Sequence, residues 1–158
     1  MIKGLKIRKF VMRRDEELWL RIWNAAFKDY EGEDFRPQTM MDMEIREKDP
    51  NFDSEGMFFA EVDGKPVGLV NAFVDRKRKE KKGFVHSLCI LPEFRRKGIG
   101  RELASKALRS LKDRGMETAE AEWVRGDRPA RKFFESLGFS LIRVQSNMRA
   151  GLDKVLSD

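Results

Sequence analysis

The pattern with the clearest chemical meaning is RRKGIG, at positions 95–100. Gly98 and Gly100 stand two residues apart, and glycine lets successive backbone N–H groups turn toward one point. An apolar helical pattern follows, and a helix N-terminus attracts anions. The cations around the glycines are Arg95, Arg96, Lys97 and Arg101. This pattern predicts a loop that binds an anion such as a pyrophosphate, and the alternative is a pair of packing glycines.

The elements beside this loop follow from apolar periodicity. Residues 83–91, GFVHSLCIL, form a strong strand pattern that Pro92 ends. After the loop, apolar residues recur every three or four positions, as on one helix face, and Gly115 terminates the pattern. These residues are Ile99, Leu103, Ala107, Leu108 and Leu111. The loop is therefore predicted to join a strand to a helix.

Upstream of these elements, the sequence predicts a strand, two helices and a hairpin. Residues 5–11 alternate like a strand, and Asp15 is a plausible cap for a helix with an apolar stripe over residues 18–27. Pro37 can open a second helix, which contains residues 40–45 and stops before Asp49. Two strands at residues 57–62 and 67–74 flank Asp63-Gly64, a strong hairpin signal.

Downstream, the prediction is a strand at residues 116–124, a helix capped by Asp127 and closed by Gly138, and strand material at 139–148. The full order is β-α-α-β-β-β-α-β-α-β. It predicts an α/β fold with a mixed sheet.

Length and composition limit the classes of protein. A chain of 158 residues with 41% apolar and 38% charged residues predicts one domain, residues 1–158, with a highly charged surface. No apolar run reaches the roughly 20 residues of a membrane span, and the N-terminus lacks a secretory pattern. One Cys and one His argue against disulfides and a protein-bound metal. We expect a cytoplasmic protein that contacts no membrane.

The net charge of +6 is unevenly distributed. Residues 76–82 read RKRKEKK, and basic segments can bind nucleic acid. The interpretation we favour is a solvated hairpin tip, so we do not expect a nucleic-acid partner.

Two motifs resemble those of the GCN5-related N-acetyltransferase (GNAT) superfamily. Its signature for the coenzyme A pyrophosphate is Arg or Gln, two residues, Gly, one residue, then Gly or Ala; Arg95, Gly98 and Gly100 fit it. A second family block is Asn, two residues, Ala, three residues, Tyr, three residues and Gly-Phe. Its spacing is matched here by Asp127, Ala130, Phe134, Gly138 and Phe139. The element order also matches over residues 5 to about 149.

The resemblance implies a GNAT fold: a mixed, mostly antiparallel sheet, split between central strands and flanked by about four helices. It implies transfer of an acetyl group from acetyl-CoA to a primary amine by direct attack in a ternary complex. Strand residues beside the split would bind the pantetheine arm, the loop would bind the pyrophosphate, and the second block would complete the cofactor site. The implied cofactor-binding residues are Leu88, Cys89, Ile90, Arg95, Arg96, Lys97, Gly98, Ile99, Gly100, Arg101, Asp127 and Phe134.

The resemblance suggests two candidates for the base that accepts the proton of the amine. Glu122, five residues before Asp127, ranks first, because relatives that acetylate protein amino termini carry a Glu there. His86 ranks second and is expected to point the same way as Leu88. The alternative for Glu122 is a solvated carboxylate, and together with Glu120 it could also bind a cationic substrate. The alternative for His86 is a structural histidine.

The sequence departs from the family at the acid that protonates the leaving thiolate. Phe134 replaces the usual Tyr, so water or Tyr30, the one tyrosine of the chain, would take that role. Asp127 replaces Asn and adds negative charge. Cys89 is interpreted as a small buried strand residue rather than a nucleophile.

The acceptor is constrained by charge. The first helix–helix loop, which lines the acceptor side in this family, contains Asp29, Glu31, Glu33 and Asp34. An acidic rim would attract an amine-bearing small molecule, a polyamine or a basic peptide, and the alternative is an ordinary solvated loop. A second hypothesis is a coenzyme A-binding or nucleic-acid-associated regulatory module with weak catalysis. A homodimer and a longer acyl donor stay open.

Overall fold

The computed structural model describes residues 2–32, 35–122 and 127–142, within two compact units at residues 1–122 and 123–158. In this described part, the first unit contains five strands and three α-helices, and the second contains one α-helix. None of these helices has the length and apolarity that a bilayer span requires.

The strands of the first unit lie in one sheet in their sequence order, β1 to β5. Neighbouring strands are antiparallel except β4 and β5, which are parallel, so the predicted mixed, mostly antiparallel sheet is confirmed. At the predicted hairpin, Asp63 (φ 49°) and Gly64 (φ 81°) are both left-handed, as a tight β-hairpin turn requires. The strands are β1 (Leu5–Lys9), β2 (Met57–Val62), β3 (Lys65–Val74), β4 (Lys82–Ile90) and β5 (Thr118–Ala121).

Helices cover both faces of this sheet. On one face, α1 (Glu16–Ala26) and α2 (Met40–Glu47) contribute to a core with strand residues. On the other face, α3 (Ile99–Asp113) places its predicted stripe against the sheet. The first core includes Trp19, Trp23, Met43, Phe59, Leu69 and Cys89, and the second includes Phe58, Val70, Val85, Leu103 and Leu111.

Strand β4 contains an irregularity between His86 and Cys89, two residues that the sequence predicts to lie in the candidate site. Asn71 pairs with His86 and Leu69 pairs with Cys89, so three steps on β4 oppose two on β3. The extra residue is a β-bulge at Ser87, whose φ is 61°. Pairing with β5 ends at Val85, because Lys82–Val85 are the β4 residues in register with it. The second half of β4 therefore has no strand partner on that edge in the described structure, which agrees with the expected split.

The two helix starts near the N-terminus differ from the sequence prediction. Asp15 precedes α1, but its carboxylate does not cap the helix; it accepts hydrogen bonds from Arg8 (2.8 Å) and from the N–H of Val11 (2.7 Å). Pro37 does not open α2, because Thr39 is the cap and forms a reciprocal capping box with Asp42. An ion pair between β1 and the residue before α1, and a local capping box at α2, replaced the predicted caps.

The second unit contains α4 (Arg128–Ser136). As predicted, Asp127 caps it by accepting a hydrogen bond from the N–H of Ala130 (3.1 Å), and Gly138 follows with φ 97°. The predicted strand at 139–148 is not formed over residues 139–142, and its remainder lies outside the described residues. The predicted strand at 116–124 is shorter, since β5 spans Thr118–Ala121, and positions 123 and 124 also lie outside.

Candidate active site

The backbone of the RRKGIG loop forms a cradle of donors. Arg96 (φ 62°) and Gly98 (φ 85°) are left-handed, and Gly98 is the N-cap of the 15-residue helix α3. Within the described residues, the backbone N–H groups of residues 96–100 have no hydrogen-bond acceptor. Unpaired donors at a helix N-terminus are a ready site for a phosphate. The loop therefore fits the pyrophosphate of coenzyme A.

The space in front of Gly98 is open. A Cβ placed on this residue would meet no heavy atom within 4 Å, while its φ of +85° strains any L side chain. The neighbouring side chains of Arg96 and Lys97 are exposed, and the Lys97 ammonium lies 5.6 Å from the centre of the Phe94 ring. The cradle is thus accessible and surrounded by positive charge.

The side chain of Arg95 ties this loop to the rest of the first unit. Its Nε donates to the carbonyl of Ile90, and its Nη2 donates to the carbonyl of Ala26, both at 2.9 Å. Ile90 ends β4, and Ala26 ends α1. Two of its donors are therefore used for positioning, a role that the sequence did not indicate.

Beyond the bulge, Leu88, Cys89 and Ile90 alternate across β4. Leu88 and Ile90 pack with the α3 core, and Cys89 packs with the α1 core. Cys89 is 7% exposed, and burial strongly raises the pKa of its thiol. A buried neutral thiol is a poor nucleophile, which supports the interpretation of Cys89 as a packing residue.

His86 lies on the opposite face from Leu88, so the expectation that they share a face is wrong. The reason is the bulge at Ser87, because one extra residue reverses the alternation of side chains. The imidazole lies near two rings, Phe73 (6.2 Å between centres) and Phe84 (6.0 Å). It lines a pocket on the α2 side of the sheet.

The surroundings of His86 favour its neutral form. Desolvation is the main cause that lowers its pKa from the usual 6.5; nearby Arg46 lowers it further, and Glu122 opposes both. The residue is exposed as a whole, but the aromatic neighbours remove water from part of the ring. At neutral pH the imidazole therefore has a free lone pair that can accept a proton.

Glu122 is exposed and directly follows β5. Its charge acts on His86, so the structure brings the two candidate bases within electrostatic range of each other. Glu120 forms an ion pair with Lys82 (Nζ–Oε1 3.1 Å), so its negative charge is already neutralised within the sheet. The alternative of a two-carboxylate cation site at these positions is thereby weakened.

The pocket beside His86 has a volume of about 250 Å³. Residues from α2, from the segment after it and from β3 and β4 meet there. They are Arg46, Asp49, Phe52, Asp53, Asn71, Phe73, His86 and Ser87. Sequence reasoning identified His86 alone among these residues. Arg46 did give a signal, since it lies three residues after the buried Met43 on α2 and therefore faces the protein rather than solvent.

The described acidic residues of the first helix–helix loop do not line this pocket. Asp29 and Glu31 are exposed, and Glu33 and Asp34 lie outside the described residues. Tyr30 packs in an aromatic cluster, with ring centres 5.1 Å from Phe27 and 5.0 Å from Phe35. In the second unit, Phe134 is 7% exposed and contacts the rings of Phe133 and Phe139.

The basic segment at residues 76–82 connects β3 to β4 as a hairpin tip, as expected. Several of its cations are paired: Arg76 with Asp53 (3.2 Å), Lys81 with Glu117 (3.7 Å) and Lys82 with Glu120 (3.1 Å). This neutralisation weakens the hypothesis of a nucleic-acid contact, which needs cations available for phosphates.

Comparison with known proteins identifies related sequences. Residues 16–139 match the model of the acetyltransferase (GNAT) family. The chain is 34% identical over 137 residues to a mycothiol acetyltransferase of Thermomonospora curvata and 31% identical over 137 residues to one of Streptomyces coelicolor. These matches cover 87% of this chain but 44% and 43% of the relatives. The chain therefore spans less than half the length of the curated relatives it matches.

Among solved structures, an aminoglycoside acetyltransferase from an uncultured soil metagenomic sample has a TM-score of 0.71 at 19% identity. The alignment covers 94% of this chain and 97% of that one. At this identity the likeness concerns the fold, and it agrees with the sheet and helices described above.

Proposed function

The chain belongs to the GNAT acetyltransferase family, and on that premise we propose that it transfers an acetyl group from acetyl-CoA to a primary amine. One observation carries the proposal. The RRKGIG loop presents unpaired N–H groups at the start of α3, next to strand β4, whose second half pairs with β3 but has no described partner on the β5 edge. The relatives named mycothiol acetyltransferase support acetyl transfer. We name the acceptor only as a primary amine, because the chain spans less than half the length of these relatives.

Acetyl-CoA would supply an acetyl group activated as a thioester. The backbone of residues 96–100 would bind its pyrophosphate, and Lys97 and Arg101 would add positive charge. Arg95 would act through its bonds to Ile90 and Ala26, which hold the loop in place. The backbone of Leu88, Cys89 and Ile90 would bind the pantetheine arm, as the family resemblance implies.

His86 would prepare the amine. A lysine-like amine has a pKa of about 10 and is mostly an ammonium ion at neutral pH, so it must lose a proton before its nitrogen can attack. His86 lines the pocket and has a pKa below its usual value, so it is ready to accept that proton. Glu122 would stabilise the imidazolium that results. This order reverses the ranking from sequence, because Glu122 is exposed and His86 lines the pocket.

Two measurements test the proposal. Calorimetry should detect binding of acetyl-CoA, and thiol release should increase when a panel of primary amines is added. Absence of acetyl-CoA binding by the folded protein would rule the proposal out.

Two variants that replace the candidate base by a neutral amide test its assignment. His86→Gln should lower kcat by about 10²–10⁴-fold with acetyl-CoA affinity preserved. Glu122→Gln should lower it less and move the acidic limb of the pH profile to lower pH, since Glu122 raises the pKa of His86. If Glu122→Gln shows the large loss and His86→Gln stays within about threefold, Glu122 is the base.

A further inference from the structure

Arg46 lies in the wall of the pocket and forms no ion pair with a described residue. The hydrogen bond of its side chain within the described structure, from Nη2 to Oε1 of Gln38, is long at 3.3 Å. Across residues 2–32, 35–122 and 127–142, no carboxylate lies within 4.0 Å of its guanidinium. The side chain is partly buried, and burial lowers its pKa, with Asp42 opposing. None of the guanidinium nitrogens of Arg46 is a fully buried donor without a partner, so the donors that lack a described acceptor are accessible to a ligand in the pocket.

Other partly buried arginines of the first unit contrast with Arg46. Arg8 pairs with Asp15 at 2.8 Å and with Glu61 at 2.9 Å. Arg114 donates to the carbonyl of Ala72 at 2.7 Å and lies 3.6 Å from Asp53. Arg8 and Arg114 thus each have a carboxylate within 4.0 Å, although Nη1 of Arg114 has no hydrogen-bond acceptor among the described residues, whereas Arg46 lines the pocket with no described carboxylate at that distance.

The carboxylates of the pocket are not placed to neutralise Arg46. Asp53 lies 3.2 Å from Arg76 and accepts a hydrogen bond from the N–H of Glu55 at 2.9 Å. Asp49 accepts from the N–H of Asn51 at 2.8 Å, and no described cation lies within 4.0 Å of it. Within the described residues, the pocket thus offers a guanidinium and a carboxylate that each lack an ion pair within 4.0 Å, together with a neutral imidazole.

The volume limits what can enter. At about 30 Å³ per water molecule, a cavity of about 250 Å³ corresponds to roughly eight waters. That is smaller than the pockets of about 300–1,000 Å³ that hold drug-sized ligands. The pocket suits a small acceptor or one small end group.

We propose that Arg46 binds an oxyanionic group of the acceptor, a carboxylate or a phosphate, while the amine of the same molecule faces His86. The inference rests on the proposed acetyl transfer and makes it more specific. The planar guanidinium can donate two parallel hydrogen bonds to either oxyanion. A small amino acid or aminoalkyl phosphate has this chemistry, and Asp49 is available to the ammonium before it loses its proton. This acceptor class replaces the polyamine or basic peptide suggested by the acidic loop.

The test compares matched acceptors. Initial rates of thiol release are measured with small α-amino acids, their carboxamides, 2-aminoethyl phosphate and spermidine. The proteins are the parent, Arg46→Gln, Arg46→Lys and a control, Arg109→Gln, which removes the same charge from an exposed site on α3. A second assay measures binding of N-acetyl amino acids and their amides to the coenzyme A-loaded proteins by saturation-transfer NMR.

We expect the parent to use acids with a kcat/KM about 10- to 100-fold above that of the carboxamides, the range expected for a charge-assisted hydrogen bond. Arg46→Gln should remove this preference and leave the rates with carboxamides within about threefold of those of the parent. Arg46→Lys should retain part of the preference, and Arg109→Gln should behave as the parent. A larger preference for 2-aminoethyl phosphate would identify the oxyanion as phosphate.

Two results separate this inference from the proposed function. Equal use of acids and carboxamides, preference for spermidine, or an unchanged preference in Arg46→Gln would overturn the inference and leave acetyl transfer intact. If no amine is acetylated, the proposed function fails and the binding assay decides the inference. Binding of N-acetyl amino acids that Arg46→Gln abolishes would sustain it, and binding that is absent or independent of Arg46 would overturn it.

Discussion

Replacing Gly98 by alanine separates the role of the cradle in ligand binding from its role in folding. The residue has φ +85° and open space before it, and Gly64, in the hairpin turn, has φ +81° and equally open space. Gly98→Ala and Gly64→Ala therefore impose the same backbone strain without a clash, and they differ in location alone. Gly64→Ala is the matched control.

The size of each effect follows from this geometry. An L side chain in the left-handed region costs about 1–2 kcal/mol, partly offset by the lower entropy of the unfolded chain. Both variants should lose about 1 kcal/mol of unfolding free energy, which lowers Tm by roughly 2–4 °C in a chain of this size. In Gly98→Ala, relaxation of the strained φ would also turn the adjacent N–H groups away from a phosphate bound by the loop.

Losing one hydrogen bond to a charged phosphate costs about 1.5–3 kcal/mol, or roughly 10- to 100-fold in Kd. Calorimetric titration with acetyl-CoA should therefore show this loss for Gly98→Ala and an unchanged Kd for Gly64→Ala. Thermal unfolding should show similar Tm values for the two variants. Equal acetyl-CoA affinity in both variants and the parent would refute the assignment of the pyrophosphate site.

Three further variants test other contacts. Burial is the main cause that raises the pKa of Glu47 above its usual 4.5, and Glu16 and other nearby carboxylates raise it further. The contribution of Glu47 to stability is therefore complete below pH 4.5 and is lost as the pH rises through the raised pKa. Because the side chain of Glu47→Gln cannot ionise, the free energy of unfolding of this variant should exceed that of the parent at pH 8 but not near pH 4, and parallel pH curves would contradict this. Arg95→Met removes two charge-assisted hydrogen bonds, so it should lower the free energy of unfolding in urea by about 1–3 kcal/mol and weaken acetyl-CoA binding. Unchanged acetyl-CoA affinity would show that the loop keeps its conformation without these bonds. Cys89→Ala should keep kcat within about threefold of the parent, because the thiol is buried and neutral, and a loss above about 100-fold would point to a chemical role.

Features set by local chemistry could be predicted from the sequence. Asp63-Gly64 marked the β2–β3 hairpin, because few residue pairs accept two left-handed conformations in succession. Gly98 of RRKGIG marked the turn before α3, because glycine accepts its left-handed conformation, and the recurrence of Leu103 and Leu111 on one face marked α3. Asp127 was predicted to cap α4 and does so. Each of these patterns is contained within one short segment of chain.

Features that depend on contacts between separate elements required the structure. Asp15 is a cap residue by type, yet its carboxylate accepts from the guanidinium of Arg8 on β1 and from the N–H of Val11, and it makes no capping bond to α1. The bulge at Ser87 depends on the register with β3, and it places His86 on the opposite face from Leu88.

Arg46 shows the same limit at the candidate site. A sequence identifies a guanidinium but does not reveal whether the fold brings a carboxylate to it, since that depends on how α2, β3 and β4 pack together. The sequence by itself determined the left-handed turn at Gly98 and the order of the elements from β1 to α4, because backbone conformation and apolar periodicity are local properties. Tertiary packing decided which titratable groups meet in the pocket, because burial and charge pairing are properties of the assembled fold.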